Sequence, residues 1–132
     1  MALIALTGAA GRIATAIRPL LIEAGHTLVL CDSVEIAVGR PTRTGGVERV
    51  VTADLRDIEA HVAAFEGADL VVHLGGLADE RPWSDLLAIN IDGTQAVCEA
   101  TRLAGVDRLL LASSVHAAGY PVSYTHLTLP TN

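Results

Sequence analysis

The chain has 132 residues, of which 51% are hydrophobic, 18% charged and 3% aromatic, and its formal net charge is −6. This length supports one hydrophobic core and is short for two domains. An acidic chain with few aromatic residues lacks the basic stripe that nucleic-acid binding requires, so we expect no nucleic-acid partner. The longest apolar runs fall short of the roughly 18 residues of a membrane span, and no signal peptide is indicated. We therefore expect a cytoplasmic protein without a membrane partner.

Strands and helices alternate along the sequence. Apolar runs predict strands at residues 2–6, 27–31, 48–52, 70–73 and 108–112, and helical periodicity predicts helices at 11–24, 58–65 and 84–103. Residues 33–46 contain proline and glycine and are predicted to form mostly loop. This alternation predicts an α/β fold, a doubly wound parallel sheet of the Rossmann type with strand order 3-2-1-4-5. The ligand crevice is then expected at the carboxyl ends of strands 1 and 4.

The first predicted strand runs directly into a glycine turn, Thr7-Gly8-Ala9-Ala10-Gly11-Arg12-Ile13-Ala14. Such a turn lets backbone N–H groups approach a pyrophosphate at the helix N-terminus, where the helix dipole favours negative charge. The spacing is G-x-x-G-x-x-A, and Ala14 is small enough for close packing of helix on strand. We therefore predict a dinucleotide phosphate site at Gly8, Ala10, Gly11, Arg12 and Ile13.

A carboxylate ends the second predicted strand. Asp32 lies about 20 residues beyond the glycine turn, where an acidic side chain binds the adenosine ribose hydroxyls of a dinucleotide. The same carboxylate would repel a 2′-phosphate, which favours NAD over NADP as the cofactor. Arg12 could pair with either the pyrophosphate or a 2′-phosphate, so it weakens this preference. The alternative is that Asp32 is a solvated turn residue or a helix cap.

Short motifs follow one another along the chain, beginning with the glycine turn and Asp32 described above: Thr7-Gly-Ala-Ala-Gly11, Asp32, Ala53-Asp-Leu-Arg-Asp57, His73-Leu-Gly-Gly76, Glu80-Arg-Pro-Trp83, Asn90-Ile-Asp-Gly-Thr94 and Leu111-Ala-Ser-Ser114 with Gly119. Each motif is modest alone, but their order and spacing together are specific. On these motifs the chain resembles the N-terminal half of an extended short-chain dehydrogenase/reductase of the NAD-dependent epimerase/dehydratase family, and most closely the uronate dehydrogenases. The resemblance implies NAD binding and hydride transfer involving a sugar-type substrate.

The resemblance also implies cofactor roles for particular residues. Asp54 corresponds to the acid that binds the adenine amino group, with Leu55 packing beside it, while Asp57 is the better candidate for the cap of the following helix. Asn90 corresponds to a residue that fixes backbone near the cofactor. A second loop is expected to pass its backbone close to the nicotinamide-side ribose and phosphate, with a plain tight turn as the alternative: Leu74, Gly75 and Gly76.

Two residues correspond to substrate contacts in the family. Ser114 matches the serine that hydrogen-bonds the reacting hydroxyl or carbonyl group, the alternative being a serine that satisfies a strand-end turn. His116 resembles a substrate-contacting histidine of uronate dehydrogenases, with a surface loop residue as an equal alternative. His73 is expected to be packed at a strand end, Trp83 to contact the core, and Arg81 to be solvated.

The sequence also departs from the family pattern. In uronate dehydrogenases a hydroxyl residue is expected near position 78 and a polar residue at position 115. This chain has Ala78 and Val115 instead, which puts the uronate assignment in doubt. Family chemistry uses a Tyr-x-x-x-Lys pair as general base, some two dozen residues after the serine. Tyr120 is too close to the serine, and Tyr124 has Thr128 four places on. All nine basic residues are arginine, so the pair cannot be completed anywhere in this chain.

These departures predict an incomplete NAD-binding domain at residues 1–121, truncated before strands 6 and 7 and inactive alone. Residues 122–132 carry no charged side chain and resemble translated sequencing-adapter DNA, so we expect a non-native or unstructured tail, with an edge strand as the alternative. The apolar fifth strand would leave an open edge, which favours homo-oligomers. The alternative function is a non-catalytic NAD-binding or sensing module. Cys31 and Cys98 have no metal or disulfide spacing and are expected to be buried free thiols.

Overall fold

The computed structural model of the chain describes residues 1–39 and 43–115, so His116 and the tail at 122–132 lie outside the described residues. The described strands are β1 (Leu3–Thr7), β2 (Thr27–Asp32), β3 (Glu48–Thr52), β4 (Leu70–His73) and β5 (Leu109–Leu111). The described helices are α1 (Arg12–Glu23), α2 (Ile58–Phe65), α3 (Trp83–Leu86) and α4 (Gly93–Leu103), and a π-helical segment at Leu87–Asp92 joins the last two. None of these helices is long and apolar enough to cross a membrane.

All neighbouring strands pair in parallel in the order β3-β2-β1-β4-β5, which confirms the predicted arrangement. Thr7, at the end of β1, lies opposite Cys31 of β2 and His73 of β4. The carboxyl ends of the three central strands therefore meet at one edge of the sheet. The chain order reverses direction between β1 and β4, and ligands of open parallel sheets bind at such a switch point.

The central strands β1, β2 and β4 are buried on both faces of the sheet, and their alternate residues face opposite sides. On one side Ala5, Val29 and Val71 belong to a core with Phe65 of α2 and Val97 of α4. On the other side, residues of the same strands form a second core with Ile22 of α1: Ile4, Leu6, Leu28, Leu30 and Val72. Burial on both faces explains why these strands read as continuous hydrophobic runs.

The helical region after Pro82 differs from the single helix predicted at 84–103. It begins at Trp83 and passes through the π-helical segment before α4 begins. Trp83 is 69% exposed, so the expected core contact is wrong. Leu87 and Ile91, at successive intervals of four residues, are exposed too, so this apolar stripe faces away from the cores of the described residues. Cys98 of α4 is also exposed, contrary to expectation, because it lies on the outer face of that helix.

The turn from β1 to α1 lies against the loop that follows β4. Gly8 has φ +66°, and a Cβ atom built on it would lie 2.6 Å from both Cα and N of Gly75. Backbone therefore meets backbone at this point, with no room for a side chain between the two loops. The N–H of Gly11 donates to the carbonyl of Gly8 at 2.9 Å, which closes the turn directly before α1.

A largely buried ion pair ties α1 to β3. The guanidinium of Arg18 donates to both carboxylate oxygens of Glu48, at 3.0 and 3.1 Å, and also to the carbonyl of Ala37 at 3.1 Å. The N–H of Gly39 donates to the same carboxylate at 2.8 Å. Burial alone would raise the pKa of Glu48, but the bonds from Arg18 and Gly39 outweigh it and hold that pKa below its ordinary 4.5.

We predict that Gly8→Ala lowers the free energy of unfolding by about 2–5 kcal/mol. Alanine would be strained at the left-handed φ of this residue, and its Cβ atom would overlap the backbone of Gly75. Gly67→Ala is the matched control, because Gly67 also has a positive φ (+74°) but a Cβ atom added there would meet no atom within 4 Å. The control should lose only about 1 kcal/mol. Urea unfolding followed by circular dichroism measures both values, and equal losses would contradict the close approach.

We predict that Glu48→Gln lowers stability by about 3 kcal/mol at pH 7, because it leaves the Arg18 charge buried without its partner. Since the folded-state pKa of Glu48 is depressed, its contribution is complete above 4.5 and is lost as the pH falls through the folded-state value. Wild type and variant should therefore converge in acid. Urea unfolding between pH 3 and pH 8 tests this. Glu99→Gln is the control and should change nothing measurable, since its pair with Arg102 is exposed.

Candidate functional site

A cavity of about 360 Å³ opens at the carboxyl edge of the sheet. Six segments line it: the glycine turn at Gly8, the end of β2 at Asp32, the loop after β3 at Asp54, α2 at His61, the loop after β4 at Gly75, and the π-helical segment at Ile89. Larger hollows lie between α1 and the loop after β2 (about 930 Å³) and between α2 and α4 (about 670 Å³). Neither contains the glycine turn or the strand-end carboxylates, so the chemistry of the lining assigns the site to the smaller cavity.

The glycine turn leaves its backbone uncovered by large side chains at the start of α1. Gly8, Ala10 and Gly11 line the cavity, and the first turn of α1 carries no acidic side chain that would oppose an anion. Arg12 and Ile13 are exposed in that first turn and lie outside the cavity lining. The structure thus brings three of the five predicted phosphate-site residues to the cavity wall.

Asp32 links the end of β2 to the glycine turn. Its Oδ2 accepts a hydrogen bond from the N–H of Ala10 at 2.9 Å. The side chain is partly buried and lines the cavity, and its Oδ1 accepts from the N–H of Val34 at 3.4 Å. The carboxylate predicted to bind ribose hydroxyls therefore lies next to the turn predicted to bind phosphate.

The loop after β3 contains two carboxylates with different partners. Asp57 caps α2, since its Oδ1 accepts from the N–H of Ala60 at 3.0 Å. Asp54 accepts from Nε, Nη2 and the backbone N–H of Arg56, each at 2.9 Å. The hydrogen bonds from Arg56 lower the pKa of Asp54 to about 2, so this exposed carboxylate stays ionised. Leu55, between them, reaches across to the loop after β4.

Leu55 occupies a gap that two glycines leave open. A Cβ atom on Gly93 would lie 2.8 Å from Cδ2 of Leu55, and one on Gly75 would lie 3.0 Å from its Cδ1. Gly93, the first residue of α4, lies within the Asn90–Thr94 motif, but no role was predicted for it from the sequence. An isolated glycine inside the helix predicted at 84–103 was the available signal, but its contact, Leu55, is distant in the chain.

His73 belongs to a buried hydrogen-bond chain beneath the cavity. Its Nδ1 lies 2.6 Å from Oγ1 of Thr7, and its Nε2 lies 3.0 Å from Oγ1 of Thr94. Burial, followed by the charge of His61, lowers the pKa of His73, so the ring is neutral. The side chain connects β1, β4 and α4, and this matches the expectation that it is packed at a strand end.

Asn90 holds the backbone of the loop after β4. Its Oδ1 accepts from the N–H of Leu77 at 2.7 Å, and its Nδ2 donates to the carbonyl of Leu77 at 3.0 Å. Asn90 lies within the π-helical segment, an irregularity that often marks functional sites. Leu74, Gly75 and Gly76 precede this anchored residue and line the cavity.

The remaining predicted residues lie away from this cavity. Ser114 follows β5, is exposed and is outside the cavity lining, as are the exposed Arg81 and Val115.

Cys31 lines the cavity, but burial raises the pKa of its thiol to about 12, so it remains protonated. Within residues 1–39 and 43–115, no group of three or more histidine, cysteine or acidic residues is placed to hold a metal ion.

The chain is similar to several known proteins. The model of the NAD-dependent epimerase/dehydratase family matches residues 4–131. A uronate dehydrogenase from Pseudomonas syringae pv. tomato is 39% identical over 115 residues, and an L-arabinose 1-dehydrogenase (NAD(P)(+)) from Haloferax volcanii is 36% identical over 117. The crystal structure of a uronate dehydrogenase from Agrobacterium tumefaciens in complex with NAD aligns with a TM-score of 0.76 at 35% identity.

These matches cover most of this chain and less than half of each relative. They span 87%, 88% and 88% of the chain, and 40%, 42% and 42% of the three proteins in the same order. The chain therefore corresponds to about two fifths of the length of the relatives that it matches. The family match, the parallel sheet and the glycine turn agree with one another: the chain belongs to the NAD-dependent epimerase/dehydratase family.

Proposed function

We propose that the chain binds NAD in the cavity at the carboxyl edge of the sheet, as the cofactor-binding part of a dehydrogenase or epimerase acting on a sugar or uronate. The contact between Asp32 and the glycine turn carries the proposal, because a carboxylate suited to ribose hydroxyls lies beside a helix start suited to phosphate. The names of the similar proteins support an NAD cofactor and a sugar-type substrate.

The residues at the glycine turn fit a pyrophosphate. The absence of a side chain at Gly8, which the close approach of Gly75 enforces, leaves room for phosphate oxygens next to the N–H groups at the start of α1. Arg12, exposed in the first helical turn, neutralises phosphate charge, and Ile13 follows it. Asp32 accepts from the adenosine ribose hydroxyls and disfavours the 2′-phosphate of NADP.

The loops after β3 and β4 then complete the cofactor site. Asp54 and Leu55 lie at the adenine end, and the loop held by Asn90 passes its backbone along the nicotinamide-side ribose: Leu74, Gly75 and Gly76. Bound NAD would supply the hydride-accepting nicotinamide ring. Ser114 is proposed to hydrogen-bond the reacting hydroxyl or carbonyl of the substrate, and His116 to contact the substrate.

The general base of the family is not encoded in this chain. With no lysine among its 132 residues, the chain cannot form a Tyr-x-x-x-Lys pair. We therefore propose that it is inactive alone and that catalysis needs the remaining length found in the relatives. A cytoplasmic location, the absence of a nucleic-acid partner and a homo-oligomer through the exposed strand β5 stay predictions of the sequence.

We predict that the chain binds NADH more tightly than NADPH and that Asp32→Ala weakens NADH binding more than tenfold, since it removes charge-assisted hydrogen bonds. The variant should also lose most of the discrimination against NADPH. Fluorescence titration of the reduced nicotinamide measures both. Asp107→Ala is the control, because Asp107 is exposed and outside the cavity lining. A folded chain that does not bind NADH, or an Asp32→Ala variant with unchanged affinity for NADH, would contradict the proposal.

We predict that the gene, read from an independent clone through and beyond the codon for Pro121, continues into a Tyr-x-x-x-Lys motif and further strands. This result would identify the tail at 122–132 as non-native and its parent as an enzyme. A genuine stop codon directly after Asn132 would instead favour the non-catalytic NAD-binding module. The missing lysine fits both outcomes, so the sequence of the gene decides between them.

A further inference from the structure

The segment that follows Asp32 begins at the candidate cofactor site and ends beside α1. Ser33 lines the cavity together with Asp32, whereas Gly39 lines the hollow between α1 and the loop after β2. Residues 33–39, called segment 33–39 below, belong to no helix or strand, and all of them except Ile36 are exposed. Such a segment has little stability of its own, so its position depends on the few contacts that hold it.

At its start the segment is tied to the carboxylate of Asp32. The N–H of Val34 donates to Oδ1 of Asp32 over a long 3.4 Å, whereas the N–H of Ala10 donates to Oδ2 at 2.9 Å. The two oxygens are thus held from two sides, one by segment 33–39 and the other by the glycine turn. The direction of the carboxylate therefore depends on where the segment lies.

The far end of segment 33–39 is held by Arg18 and Glu48. Nη2 of Arg18 donates to the carbonyl of Ala37 at 3.1 Å, and the N–H of Gly39 donates to Oε2 of Glu48 at 2.8 Å. The side chains of Arg18 and Glu48 are only 14% and 7% exposed. Hydrogen bonds that involve a charged group are about twice as strong as neutral ones when they are this short. This anchor therefore fixes the segment more firmly than the long contact at Val34 does.

The same pair also joins α1 to β3, and a purely structural role is the alternative. For that role the two bonds between Arg18 and Glu48, at 3.0 and 3.1 Å, are sufficient. The bonds to Ala37 and Gly39 add nothing to the connection between α1 and β3, since both residues lie in segment 33–39. They hold a segment whose other end reaches the cavity, although neither Arg18 nor Glu48 lines that cavity.

We propose that Arg18 is a positioning residue for cofactor selection, which holds segment 33–39 and thereby fixes the Asp32 carboxylate against the 2′-phosphate of NADP. This inference rests on the proposed function, because it requires a dinucleotide whose adenosine ribose lies at Asp32. Without the anchor, the segment moves and the carboxylate turns with Val34. The hydrogen bonds to the ribose hydroxyls and the repulsion of a 2′-phosphate then both weaken, so NADH binds less tightly and NADPH is rejected less.

The test measures the affinities for NADH and NADPH by fluorescence titration of the reduced nicotinamide. Arg18→Met keeps an apolar stem but removes every donor, and it should lower the NADH-over-NADPH affinity ratio about fivefold, the size of one ordinary hydrogen bond. Arg18→Lys retains the charge but lacks the planar fork that reaches both Glu48 and Ala37, so its ratio should be intermediate. Circular dichroism establishes that each variant is folded, and the lysine variant decides the question if the methionine variant is not.

Two controls separate positioning from a general loss of stability. Val106→Ala removes buried apolar atoms from the core on the face of the sheet opposite α1, so it should lower stability and leave the affinity ratio unchanged. Arg18→Met is also combined with Asp32→Ala in a double-mutant cycle. Because Arg18 is proposed to act through Asp32, it should have no further effect on the ratio once that carboxylate is absent.

Three results would overturn this inference alone. The first is a folded Arg18 variant with the affinity ratio of the wild type. The second is an equal fall of the ratio in Val106→Ala, which would make the effect one of stability. The third is an effect of Arg18→Met that persists in the Asp32→Ala background. A folded wild type that binds neither dinucleotide, or binds both equally, would overturn the proposed cofactor preference as well, so the two failures are distinguishable.

Discussion

The contact on which the site depends is the approach of two backbones at Gly8 and Gly75. The turn after β1 and the loop after β4 come so close that a Cβ atom on Gly8 would lie 2.6 Å from backbone atoms of Gly75. This contact sets the width of the crevice between the two strands at the switch point of the sheet. A side chain at Gly8 would therefore push the two loops apart.

Other interactions keep the two loops in this relation. Leu55 fills the gap left by Gly75 and Gly93, so the loop after β3 covers the start of α4. Asn90 fixes both backbone groups of Leu77, at the far end of the loop after β4. Beneath them the neutral, buried ring of His73 connects β1 with α4. Three segments remote in sequence thus fix one small surface from below and from the side.

The polar groups around the cavity divide by their hydrogen-bonding capacity. Backbone N–H groups at the start of α1 suit an anion, whereas the wall at the end of β2 offers an acceptor at Asp32. A dinucleotide carries the complementary groups, phosphate oxygens and ribose hydroxyl donors. This match, together with the family membership, supports the proposed binding mode.

The sequence by itself determined the strand order, the glycine turn, the carboxylate of Asp32 and the cap at Asp57. These features depend on apolar runs and on residues close together in the chain, so local pattern is enough to predict them. Tertiary structure decided the exposure of Trp83, the packing of Gly93 against Leu55, the Arg18–Glu48 pair and the burial of His61. Each of these depends on which distant segments come into contact or leave a face uncovered, and local periodicity holds no information about that.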